Sequence, residues 1–74
     1  MRLNQAVGVT IRKLRTEQNK SMRQLTPYIS LGHLSNAERG TRELSQELLE
    51  EVSKGLNLTT ADFLVEVVKV LKES

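Results

Sequence analysis

The chain has 74 residues, a formal net charge of +2, one histidine and no cysteine. That length holds a single domain, residues 1–74, with a small core; without cysteine there is neither a disulfide nor a thiolate metal site. A lone histidine builds no metal centre or triad, and there are no paired carboxylates in a pocket pattern and no phosphate-binding glycine loop. The chain therefore reads as no enzyme: no catalytic residue, metal, cofactor or small-molecule ligand is expected.

The longest apolar stretch, Phe63 to Leu71, is broken by Glu66 and Lys69 and falls far short of a membrane span. No signal-like apolar segment opens the chain, so a cytoplasmic protein without a membrane partner is expected. The charge is unevenly spread. Residues 1–42 hold eight Lys/Arg against Glu17 and Glu38, a balance of +6; residues 43–74 hold three against seven acids, a balance of −4. A basic first half points to a polyanionic partner, or to ordinary solvated helix surface.

The hydrophobic spacing predicts five helices and no strand. Leu3, Val7, Ile11 and Leu14 mark the inward face of a first helix that closes at Asn19-Lys20. Ser21-Met22-Arg23-Gln24 has capping-box form and opens a second, which Pro27 cuts short because proline lacks an N–H and disfavours helical geometry at Thr26. Ser30 caps a third helix with Leu31, Leu34 and Ala37 inward, and Gly40 can take the left-handed conformation that closes it. After the loop 40–44, Ser45 caps a fourth helix with Leu48, Leu49, Val52 and Leu56 inward. Gly55 near its end implies close packing, and Asn57 is a left-handed C-cap. Thr59-Thr60-Ala61-Asp62 opens a fifth helix over 60–72.

The third helix carries the chemistry. Its outer face shows Gly32, His33, Ser35, Asn36 and Arg39, small or hydrogen-bonding side chains with a basic flank. A helix of this kind is what the DNA major groove admits. Candidate phosphate contacts are Arg23, Gln24, Ser30, Arg39, Thr41 and Arg42: Ser30 sits where helix N–H groups favour an anion, and Arg39 and Arg42 flank the helix end. An ion pair of Arg42 with Glu43 or Glu47 is the alternative for that arginine.

Ile11-Arg12-Lys13-Leu14-Arg15, Leu25-Thr26 and the stretch Ile29 to Glu38-Arg39-Gly40 resemble the Cro/CI-type (XRE) helix-turn-helix family of phage repressors, over roughly residues 7–65. Ser-Leu-Gly-His-Leu-Ser followed by Glu-Arg-Gly is especially similar to actinobacterial regulators of Clp protease genes. The resemblance implies a five-helix, lambda-repressor-like all-α domain in which helices two and three form the helix-turn-helix. It further implies that Leu31, Gly32, His33 and Asn36 face base edges, and that Arg15 and Glu38 form a structural salt bridge. Asn36 could pair bidentately with adenine, His33 could bond a guanine acceptor or a phosphate, and Leu31 could touch a thymine methyl. The sequence departs from the family pattern in one place: only Pro27 and Tyr28 separate Leu25-Thr26 from Ile29, so helix two is about half a turn short.

The last helix carries Phe63, Leu64, Val65, Val67, Val68, Val70 and Leu71, a wider apolar arc than one core face needs. A homodimer through Phe63, Val67, Val70 and Leu71 is expected, which would set two recognition helices about 34–36 Å apart; the alternative is that this helix merely wraps a thin core. The function implied is a sequence-specific regulator of double-stranded DNA, a repressor. The alternative is a protein-interaction module on the same fold: an antitoxin, an anti-regulator or a partner of RNA polymerase.

Overall fold

The computed structural model describes all residues, 1–74. It is all-helical: α1 (Leu3–Glu17), a 3-10 helix (Met22–Leu25), α2 (Leu31–Glu38), α3 (Gln46–Gly55) and α4 (Thr60–Glu73). The five expected elements occur in the expected order, but the second is a single 3-10 turn. Its start is fixed by the Ser21 N–H donating to Gln24 Oε1 at 2.6 Å. Pro27 offers no N–H to extend it, and the chain turns through Thr26 to Tyr28, with the Tyr28 and Ile29 amides both donating to the Leu25 carbonyl.

That turn delivers Leu25 and Ile29 to one core. Ala6, Ile11 and Leu14 of α1, Leu34 and Ala37 of α2, Val52 of α3, Leu56 just after it, and Phe63, Val67 and Val70 of α4 complete that core. Phe63 is fully enclosed, and burying such a side chain contributes about 1.5–3 kcal/mol. Leu44, Leu48, Leu49, Leu58 and Leu71 pack partly buried around it. Gly55 is where close packing was expected: a Cβ there would lie 2.9 Å from both Leu25 and Tyr28 side-chain carbons. Asn19 and Asn57 take positive φ at the ends of α1 and α3, a conformation asparagine tolerates.

Three expectations are corrected. Leu3 and Leu31, placed inward by their spacing, are exposed. Each is the first residue of its helix, and helical side chains lean toward the N-terminus, so these two lean off the end, away from the core. The third correction concerns α4. Phe63, Val67 and Val70 are buried inside the single chain and Leu71 packs against them, so they are not free to form a dimer interface. The surplus apolar surface lies instead on Leu64, Val65 and Val68, each between 44% and 52% exposed.

Candidate nucleic-acid interface

Helix α2 is closed at both ends by its own sequence. Ser30 has extended backbone geometry and its Oγ accepts from the His33 N–H at 3.3 Å. At the other end Gly40 takes φ +72°, its N–H donates to the Ala37 carbonyl, and the Thr41 N–H donates to the Asn36 carbonyl at 3.1 Å. This pair of bonds is a Schellman closure, which needs a left-handed residue; glycine serves at this one, where a Cβ would also lie 3.0 Å from Gln5 Cα.

The helix is also fixed in space. Leu34 and Ala37 anchor it in the core. On α1, Gly8 lets the two backbones meet: a Cβ there would collide with the Ala37 carbonyl oxygen and come within 2.9 Å of that of Glu38. Arg15 then clamps the helix end. Its Nε donates to Glu38 Oε2 at 2.8 Å and a terminal nitrogen to Oε1 at 3.0 Å, with side-chain exposures of 15% and 5%. The hydrogen bond to Glu38 holds the Arg15 guanidinium more firmly charged than usual, against the opposing effect of desolvation. The same guanidinium donates to the Lys20 carbonyl at 2.9 Å, while the Lys20 ammonium donates to the Gly55 carbonyl at 2.7 Å and Gln18 Nε2 to the Leu56 carbonyl. One network therefore ties the end of α1 to both α2 and the end of α3.

The outward side chains differ in how firmly they are held. Leu31 and Gly32 are exposed, and the space a Cβ would occupy at Gly32 is open. His33 Nδ1 lies 2.6 Å from Ser30 Oγ, and Asn36 Oδ1 accepts from an Arg39 terminal nitrogen at 2.7 Å. Thr41 Oγ1 donates to the Asn36 carbonyl, and Gln24 is committed to Ser21. Arg23 and Arg42 are exposed and form no ion pair. The structure thus does not form the pairing of Arg42 with Glu43 or Glu47, and these two arginines have the most freedom to meet a phosphate.

Sequence reasoning missed the Gly8 contact, the Lys20 and Gln18 links, and the internal pairs Ser30–His33 and Asn36–Arg39. Both pairs are three residues apart, a spacing that makes neighbours on a helix surface, so the signal was there to read. The largest concavity, about 520 Å³, lies elsewhere, between α3 and the start of α4, lined by Glu47, Glu50, Glu51, Lys54 and Leu58 among others. No helix is long and apolar enough to cross a membrane.

Residues 11–63 match the sequence model of the helix-turn-helix family. The transcriptional regulator ClgR of Mycobacterium tuberculosis is 33% identical over 66 residues; the match spans 86% of this chain and 59% of that protein. The crystal structure of the clp gene regulator ClgR from C. glutamicum superimposes with a TM-score of 0.83 at 35% identity, covering 93% of this chain and 92% of that one. The restriction-modification controller protein C.Esp1396I, solved as a tetramer in complex with its natural 35 base-pair operator, gives a TM-score of 0.85 at 26% identity over 95% of both chains.

Proposed function

The chain belongs to the helix-turn-helix family, and from that premise we propose that it is a sequence-specific regulator of transcription that binds double-stranded DNA as a homodimer and inserts α2 in the major groove. The observation that carries this reading is the clamped helix α2. Its outward side chains His33 and Asn36 are held by internal hydrogen bonds, Leu31 and Gly32 are exposed beside them, and the unpaired arginines Arg23 and Arg42 flank the helix in the sequence. Leu31, Gly32, His33 and Asn36 meet base edges in this reading; Arg23, Gln24 through its amide nitrogen, Arg39 and Arg42 meet phosphates and set the register, whereas the hydroxyls of Ser30 and Thr41 would first have to leave their bonds to His33 and the Asn36 carbonyl. The operator-bound tetramer of C.Esp1396I supports both the nucleic-acid partner and the self-association.

The second copy sits on the exposed stripe Leu64, Val65 and Val68 of α4, which gives α4 one face for the core and one for its partner. The chain acts as a repressor in the cytoplasm of a bacterial or phage-infected cell, and it catalyses nothing. Binding to fragmented genomic DNA across a salt series tests the proposal. A regulator enriches discrete fragments and loses affinity steeply as salt rises. Absence of binding to any fragment at low salt contradicts it and favours a protein-interaction module on the same fold.

A further inference from the structure

The fold brings a cation from the start of α1 to the loop that follows α2. The first turn of α1 packs on the turn that closes α2, where a Cβ at Gly40 would lie 3.0 Å from Gln5 Cα. Leu3, Asn4 and Glu43 line two adjoining cavities of about 170 Å³ each; Arg2 borders one and Arg42 the other. The two arginines are thus neighbours in space, although α1 and α2 separate them in the sequence.

Arg2 is held as the start of a helix. Its N–H donates to Gln5 Oε1 at 3.0 Å and its carbonyl accepts from the Ala6 N–H at 3.0 Å. The residue is exposed and forms no ion pair, although Glu43 lines the same cavity. The other cations of the basic first half are placed differently. Arg15 and Lys20 are committed to the clamp and Arg39 to Asn36. Lys13 acts on Glu66 of α4, and Arg12 lies beside Glu38. Arg2 alone borders the loop of Arg42.

Resting on the DNA-binding role proposed above, we infer that Arg2 is a further phosphate contact, working beside Arg42, and that Glu43 opposes it. Each strand sets one phosphate about every 3.4 Å of helix axis. A backbone held by Arg42 therefore has a neighbouring phosphate for the cation beside it, and a guanidinium grips phosphate with two parallel N–H donors. The Arg2 backbone is ordered before DNA arrives, so binding has only its side chain to immobilise. Such a contact positions the protein and carries no sequence information. Glu43 is the only acid lining the two cavities, and a like charge beside a phosphate costs affinity.

The test is titration of an enriched genomic fragment and of a random duplex with the full chain, across a salt series. Arg2→Ala should keep the wild-type melting temperature and reduce the log–log slope by about one unit. It should weaken binding about tenfold at about 0.1 M salt, equally on both duplexes. Arg2→Lys should restore most of the slope, because an ammonium still meets a phosphate as a point charge. Arg2→Ala combined with Arg42→Ala should reduce the slope by about two units. Glu43→Gln should tighten binding to both duplexes, and Lys54→Ala, which removes a charge on α3, should leave the slope unchanged.

An unchanged slope in Arg2→Ala, or no recovery in Arg2→Lys, overturns the inference while leaving DNA binding intact. An equal loss of slope in Lys54→Ala overturns it too, because any surface cation would then count alike. Binding by Glu43→Gln no tighter than wild type overturns the opposing role of that acid. Failure of the wild-type chain to bind any fragment at low salt overturns both the inference and the reading beneath it.

Discussion

Helices α2 and α4 each bury one face in the same core, yet what they leave outside differs in kind. On α2 the outer face is mostly polar, with Leu31 its one exposed apolar side chain, His33 and Asn36 bonded to Ser30 and Arg39, and unpaired arginines at 23 and 42 flanking it in the sequence. On α4 the outer face is aliphatic, with Leu64, Val65 and Val68 exposed between charged residues. A tethered polar face beside cations suits a charged, hydrogen-bonding partner such as duplex DNA. An aliphatic stripe suits an apolar partner such as its own copy. Identical burial on the inside therefore says little about function; the chemistry of the uncovered side separates the two helices.

The largest expected effect concerns the clamp that orients α2. Arg15→Ala leaves the Glu38 carboxylate, 5% exposed, without its bidentate partner, which costs about 3–5 kcal/mol. In a domain this small the variant should be largely unfolded by circular dichroism; a near-wild-type melting temperature would contradict the assigned role. Next come two adjacent residues of α4. Val67→Asp puts a carboxylate in the core and should also unfold the chain, whereas Val68→Asp falls on the exposed stripe and should leave a folded monomer by sedimentation. Equal behaviour of the two variants would erase the distinction between the faces of α4.

Smaller effects separate stability from binding on α2. Gly32→Ala meets open space and removes a helix-weakening glycine, so stability should hold or rise by up to about 1 kcal/mol. Its affinity for the enriched genomic fragments should nonetheless fall, because the added methyl stands at a position proposed to face base edges. Arg42→Ala should leave the melting temperature unchanged and reduce the log–log salt slope by about one unit.

The smallest effect belongs to Glu66. The hydrogen bond from Lys69 holds its carboxyl below the usual range. The pair therefore adds stability above the unfolded-state value and loses it as pH falls through the lower folded-state value. Because the pair is exposed, Glu66→Gln should barely move the melting temperature at neutral pH, and any difference should fade as pH falls through the lowered folded-state value.

The sequence made much of this legible. Capping residues Ser30, Ser45 and Thr59 marked helix starts, and Pro27 marked the early end of the second element. Periodicity failed at Leu3 and Leu31 because position on a helical wheel says nothing about the lean of a helix's first side chain. It failed on α4 for a different reason. The apolar arc was visibly too wide, but a linear pattern cannot say which edge α1 covers, and Phe63, Val67 and Val70 were assigned to the wrong side. At the candidate site the residue types were readable and the spacing allowed the Ser30–His33 and Asn36–Arg39 pairs, while the Gly8 contact and the Lys20 and Gln18 links appear only in the folded geometry.

The central claim is that α2 lies in the major groove, and methylation interference on an enriched genomic fragment tests it most directly. The account predicts that guanine N7 methylation, a major-groove lesion, blocks binding in two patches about one helical turn apart. Interference confined to adenine N3 in the minor groove, or no interference on any bound duplex, would contradict it.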